Sequence, residues 1–240
     1  HPDFSAALGY AGYAMIIVGA GLAAVQRQLG YLMGYAAVAD MGAALLVLSL
    51  QTTAGLNAAL LALGTRAVSL TVMAMGISLI RHRAEGDDFD ILEGWGRYLP
   101  WATAALVVGG LSLAGLPPGP GFTVRWSITR LIAREQAGGA ILLVLASVLV
   151  SIGVLRALMA LWRQPTPGYV GSEIVEEIEA AAQPKEEVEE EPREREPRLA
   201  AAMIVFSLIA CLVLVLWPQI HTDVIQQAVE SYSFLNLVSP

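Results

Sequence analysis

Three ionisable side chains stand deep inside apolar text. Asp40 interrupts YAAVADMGAAL, Arg66 interrupts LALGTRAVSL, and Arg125 sits in LAGLPPGPGFTVRW, residues 113 to 126. A charge at the centre of a bilayer costs at least about 2.5–3.5 kcal/mol on insertion scales, so such residues face the interior of a bundle, pair with one another, or line a hydrated path. One carboxylate and two guanidiniums are the parts of a buried ion pair that fixes helix register, and equally of the electrostatics of an ion path. The charges alone leave both readings open. Arg156 is less informative, because it lies within two turns of Trp162 and can snorkel; Arg130 and Arg134 flank a segment end and can do the same.

The text before Arg125 tilts the balance. Gly115, Pro117, Pro118, Gly119, Pro120 and Gly121 fall within seven positions. Pro118 lacks the N–H that would bond back towards Ala114, and Pro120 repeats the defect. Non-helical backbone at membrane depth is tolerated only where protein or a water-filled cavity surrounds it. Transporters use such breaks to present helix ends and free carbonyls to ions near the midplane. The break therefore makes a polar spot in the bilayer, with Arg125 beginning the second half-helix beside it.

The elements that must hold these residues are legible from composition. The chain is 56 % hydrophobic and 15 % charged, with mean hydropathy +0.61. That places it in the membrane class, and apolar runs of about twenty residues select helices over a barrel. Six segments are expected: Ala6–Val25, Gly30–Leu50, Ala58–Ile80, a fourth from Pro100 broken at Pro117–Pro118 and resuming from Phe122 to Glu135, Gly138–Trp162, and Leu199–Trp217. The expected fold is an all-α, polytopic membrane helix bundle. Its organisation is transmembrane helices 1–5 over residues 1–162, an acidic flexible loop over 163–198, transmembrane helix 6 over 199–217, and an amphipathic tail over 218–240.

Charge is distributed unevenly. Between Glu173 and Arg198 there are 11 acidic and 4 basic residues, so the whole net charge of -7 belongs to this one loop. Its low-complexity text cannot order a core and reads as a solvated tether. Nine of the 14 Lys and Arg residues fall in the connections Val25–Leu29, Arg81–Leu99 and Arg163–Arg198. The positive-inside rule then puts those three connections in the cytoplasm and both termini on the opposite side of the cell inner (plasma) membrane. No basic cluster with interleaved aromatics is present, which argues against nucleic acid as a partner. The single Cys211 reads as a small buried hydrophobe, and His221 in the tail has no companion ligands, so no metal site and no catalytic residue is expected. No basic n-region precedes the first apolar run, so no secretory signal is legible. The tail QIHTDVIQQAVESY has apolar residues at helical spacing, which suits a helix lying at the membrane interface or on a neighbouring subunit.

The stretch DILEGWGRYLPWATAALVVGGLSLAGLPPGPGFTVRW resembles the region around the second broken helix of the antiporter-like membrane subunits of respiratory complex I, with SLAGLPP, a short turn, GF, and a charged residue three positions on. GLAAVQRQLGYLMGYAAVADMG and ALLALGTRAVSLTVMAMG resemble the two segments that precede it in that family, in the same order and spacing, and LWPQIHTDVIQQA is similar to the family's last helix and tail. Related subunits of membrane-bound hydrogenases and of multisubunit cation/proton antiporters share these motifs. The resemblance covers nearly the whole chain except the acidic loop and corresponds to the last six of about fourteen family helices.

What the resemblance implies is a part in proton translocation coupled to electron transfer from NADH to quinone. The partners would be other membrane subunits of a complex I-like assembly and the lipid bilayer. Flavin, iron–sulfur clusters and quinone would belong to those other subunits, and this chain would hold no cofactor. The departures matter too. Arg125 stands where the family commonly has lysine, Arg66 and Asp40 stand where it has histidines, and Leu70 and Gly30 where it has lysines. Lys185 is the chain's only lysine. Lysine can shed its proton on burial whereas arginine effectively cannot, so Arg66 and Arg125 would act as fixed electrostatic elements and Asp40 as the titratable group. The alternatives are a structural membrane subunit without pumping, or a subunit of a cation/proton antiporter.

Overall fold

The computed structural model describes residues 2–117, 119–163 and 197–216. Pro118, most of the acidic loop 163–198, Trp217 and the 218–240 tail with His221 lie outside the described residues. The described residues form helices α1 (Pro2–Val25), α2 (Leu29–Leu48), α3 (Thr53–Ala84), α4 (Pro100–Ala114), α5 (Gly121–Glu135), α6 (Ala137–Trp162) and α7 (Arg198–Leu216), with one 3₁₀ turn at Trp95–Arg97.

Local chemistry sets the boundaries. Thr52 caps α3 by accepting a hydrogen bond from the Gly55 N–H at 3.0 Å, satisfying one of the donors that a helix start leaves over. At its other end α3 runs past the expected Ile80 to Ala84. Arg81, His82 and Arg83 fill its last turn, where cations favour the negative end of the helix dipole, and Glu85 in the left-handed region stops it. Pro100 opens α4, where its missing N–H costs nothing.

Four helices, α1, α2, α3 and α6, are long and apolar enough to cross a membrane; α4 and α7 are apolar but shorter over the described residues. On α6 the outward face carries Ile141, Val144, Leu145, Val148, Ile152, Leu155 and Met159, all exposed. A helix that stays apolar on its outer side as well as its inner one belongs in lipid. Lipid supplies no hydrophobic drive between helices, so close packing of small residues must hold them together. The antiparallel pair α1 and α2 shows this directly. Gly12 backs onto the carbonyl of Gly42, and Gly19 backs onto Ala39 and the Tyr35 carbonyl along the same seam. The α3–α4 contact repeats the device, with Gly76 against Ala102 and Leu106, and Gly109 against Met73 and Ser69. α6 packs on α1 and α4, α5 on α3 and α6, and α7 on α3 and α4.

The two ends of the bundle differ in how they are tied. At one, the loop end, Leu29 N–H donates to Asp87 O at 3.1 Å and Phe89 N–H to Arg27 O at 2.8 Å, forming a short bridge between Gln28 and Asp88. Arg163 pairs there with Glu93 at 3.6 Å. At the other, the turn end, Tyr13 donates its hydroxyl proton to Gln136 Oε1 at 2.6 Å, and Gly9 lies beside Ser49. Connections 26–28 and 85–99 and the end of α6 thus share the loop end. α4 starts at that end, and α5 finishes at the other.

The α1–α2 seam has no room for added volume. Gly42→Leu would drive a side chain into the Gly12 carbonyl and Ile16 and should destabilise the bundle by about 1–3 kcal/mol. Unfolding in mixed detergent micelles would measure the loss. Ile209→Ala, at an exposed position of α7, is the control expected to change little.

Candidate functional site

Four helices converge on one polar cluster. α2 supplies Asp40, α3 Arg66 and α6 Ser147, each well inside its helix, and α5 supplies Arg125 one turn from its start. Arg66 Nε donates to Asp40 Oδ2 at 2.7 Å, a close charge-assisted pair. Arg125 Nη1 lies 3.7 Å from the other carboxylate oxygen, near enough for electrostatic attraction but too far for a hydrogen bond. Arg125 Nε donates to Ser147 Oγ at 3.3 Å, and Arg66 Nη1 reaches the Met41 sulfur at 3.0 Å. The three residues expected from the sequence are therefore brought together around a single carboxylate.

The interruption before Arg125 is built from α4 downward. Gly115 takes φ +75°, Gly115 N–H donates to Ser112 O at 3.0 Å, and Leu116 N–H donates to Leu111 O at 2.9 Å. These two bonds close α4 in a Schellman turn, with glycine at the left-handed position. Ser112 then joins the two helices: its hydroxyl oxygen accepts from Gly121 N–H, the first of α5, at 3.0 Å. It also contacts Ser69 Oγ at 2.6 Å. Ser69 gives its own proton to Thr65 O at 2.8 Å, so Ser112 must be the donor in that contact. Space is as tight as the bonding. A Cβ at Gly121 would overlap the Ser112 carbonyl oxygen, and one at Gly115 would overlap the stem of Arg125. Gly119 and Pro120 are buried here as well, while Pro117 is exposed.

Electrostatics set this cluster apart from a simple pair. Arg66 is 8 % exposed and Arg125 5 %, and the Asp40 side chain 16 %. Two guanidiniums face one carboxylate, leaving a surplus positive charge in the interior. Among the described residues, Arg66 Nη2 and both Nη atoms of Arg125 are buried without a hydrogen-bond acceptor. A cavity of about 10 Å³, bounded by Asp40, Thr65, Arg66, Ser69, Ser112 and Arg125, adjoins them. Its volume suits one particle the size of a water molecule.

The other basic residues fall elsewhere. Arg130 and Arg134 are exposed near the turn end. Arg156 does not merely snorkel; its Nη1 donates to the Ala24 carbonyl on α1. Cys211 is a buried free thiol on α7. Sequence reasoning missed Ser69, Ser112 and Ser147, because a hydroxyl in an apolar helix can always satisfy itself on the preceding turn. A signal was nevertheless present: Ser69 lies three residues after Arg66 and four after Thr65, on one helical face.

The family model for the transmembrane part of NADH:quinone oxidoreductase and Mrp antiporters matches residues 1–153. NADH-quinone oxidoreductase subunit N 1 of Rhizobium meliloti is 29 % identical over 170 residues, which are 69 % of this chain and 35 % of that protein. Subunit N of Rhodopseudomonas palustris is 31 % identical over 152 residues, 63 % of this chain and 32 % of its own length. The chain thus spans about a third of the curated relatives it matches. Among solved structures, a chain of an archaeal membrane-bound sulfane sulfur reductase superposes with TM-score 0.75 at 19 % identity, over 94 % of this chain and 42 % of that one. A chain of the Mrp complex from Dietzia gives 0.75 at 20 %, over 92 % and 46 %. Respiratory complex I from Thermus thermophilus gives 0.61 at 22 %, over 90 % and 44 %.

The two arginines should not be equivalent. Arg66→Ala removes the near partner of a half-buried carboxylate and should cost about 3 kcal/mol of stability, the low end for a buried pair. Arg125→Ala leaves the 2.7 Å pair intact and should cost only about 1–2 kcal/mol. Equal losses in thermal unfolding of the two variants would contradict this ranking.

Proposed function

This chain belongs to the NADH:quinone oxidoreductase/Mrp antiporter transmembrane family, and on that premise we propose that it is part of an antiporter-like membrane subunit taking part in proton translocation coupled to electron transfer from NADH to quinone. The observation that carries the reading is the Asp40 carboxylate shared between Arg66 and Arg125 beside an interrupted helix. Asp40 is the cluster's one group able to take and release a proton, and the arginines supply a fixed positive potential that biases it. α4 and α5 together make one broken span, the fourth of six, with α7 as the last. Neither α4 nor α5 reaches the roughly 30 Å of hydrocarbon alone, since fifteen residues rise only about 22 Å. The redox groups belong to other subunits of the assembly, held against this one within the bilayer.

The loop end faces the cytoplasm in this reading, both termini lie on the other side, and the membrane is the inner (plasma) membrane. The acidic segment 163–198 is a cytoplasmic tether, and 218–240 an amphipathic tail. A second reading, a membrane subunit that holds its neighbours without pumping, draws support from the absence of any lysine other than Lys185.

The readings part at Arg125. If it supplies potential, Arg125→Lys keeps much of the proton translocation and Arg125→Ala loses most of it, while assembly survives in both. Translocation measured in inverted vesicles, alongside recovery of the intact complex, tests this; normal pumping in the alanine variant would leave only the scaffold reading. Sidedness has its own measurement. A cysteine at Asp90, exposed at the loop end, should resist an impermeant thiol reagent in sealed cells, whereas one at Ala54 should react.

A further inference from the structure

We propose that the cleft at the loop end, between α6 and the connections 26–28 and 85–99, binds the phosphodiester head of one anionic phospholipid. The cleft, of about 630 Å³, has an apolar floor in Phe89, Met159 and Ala160 and a rim of three arginines, Arg27, Arg156 and Arg163. Asp90 and Glu93 share the lining, which therefore carries one positive charge in excess. The carboxylates do not neutralise all three cations alike. Glu93 pairs with Arg163 at 3.6 Å, while Arg27 and Arg156 have no carboxylate within ion-pair distance among the described residues. Arg156 is anchored, because its Nη1 donates to the Ala24 carbonyl in the last turn of α1, where a helix leaves carbonyls over. Arg27 is exposed three residues further on, its backbone carbonyl held by Phe89 N–H at 2.8 Å. Two guanidiniums with N–H groups to spare, lining one cleft, are the forked donors that phosphate oxygens accept best.

Depth in the membrane selects a phosphate carried on a lipid. α6 has 26 residues and rises about 39 Å, more than the roughly 30 Å of hydrocarbon, so its last turn lies at headgroup level. Trp162 is half exposed there, as tryptophans at a membrane interface are. Ile152, Leu155 and Met159, three and four residues apart, form an exposed stripe on α6 that runs about 10 Å from the cleft towards the midplane. Met159 belongs to both, ending the stripe and flooring the cleft. An acyl chain can lie along this stripe while its phosphate stays on the arginines; a soluble phosphate ester would leave the stripe unused. A phosphodiester carries one negative charge and offsets the surplus of the lining. The cation of a zwitterionic head would restore that surplus, so a head without a cation of its own fits best. The site requires only that α6 spans the bilayer and is independent of proton translocation.

The full chain in neutral detergent with phosphatidylcholine is titrated with phosphatidylglycerol of the same acyl chains at constant ionic strength, and native mass spectrometry reads the lipid retained. One phosphatidylglycerol per chain should stay bound under conditions where phosphatidylcholine is lost. Arg27→Gln strands no partner and should weaken that retention about fivefold, the worth of one cation near a lipid surface. Arg130→Gln removes an exposed cation at the turn end and should change nothing. Equal retention of the two lipids, or equal weakening by the two substitutions, would overturn the proposal. Glycerophosphoglycerol, the same head without acyl chains, distinguishes the sources of phosphate. It should fail to displace the lipid at equal concentration, and displacement would reject a lipid as the occupant.

Discussion

Asp40 reaches Arg66 at 2.7 Å and Arg125 at 3.7 Å, and through Arg125 the cluster extends to Ser147. Helices α2, α3, α5 and α6 are thereby tied at one depth. In lipid, where apolar faces slide past one another at little cost, such polar contacts are what fix rotation and register. The close glycine and alanine seams then tighten an arrangement whose alignment the ions have already chosen. A helix turned by one residue would carry its charge into hydrocarbon.

The interruption between α4 and α5 follows from the same constraint. An unbroken helix through these positions would keep every backbone N–H and C=O bonded within itself and would leave no helix start at this depth. The Schellman turn at Gly115 ends α4 with its last carbonyls bonded, and Ser112 receives the first N–H of α5. Gly119 and Pro120 are buried and the helix ends on either side are hydrogen-bonded, and cover by protein is the condition for irregular backbone in a membrane. In the proposed translocation role, this polar pocket is the place where one carboxylate and two fixed cations meet in the protein interior.

Much of this was legible in the sequence, for physical reasons that can be named. Asp40, Arg66 and Arg125 stood out because charge in apolar text is expensive, and Gly115 to Gly121 because three prolines among glycines break a helix. The pairing order was not legible. Nothing in the spacing says that Arg66 takes the near oxygen and Arg125 the far one, since that depends on helix rotation. The serine relay stayed hidden because hydroxyls satisfy themselves on their own helix. α3 outran its apolar stretch because Arg81 to Arg83 look like a loop by hydropathy yet complete a helix end by charge. The bridge from Gln28 to Asp88 pairs two connections about sixty residues apart, and no local pattern announces such a contact.

The bare backbone of Gly115 has a consequence for Arg125 beyond the turn it makes. It lies directly against the aliphatic stem of that arginine, so the stem is located by shape as well as by charge. A cation held only by its counter-ion drifts when the counter-ion is neutralised. One wedged by van der Waals contact stays in place and keeps acting on whatever enters its field. In the proposed translocation role, Arg125 would be a stationary electrode: protons arriving and leaving around it would meet the same potential on every cycle, with no side-chain motion to reset.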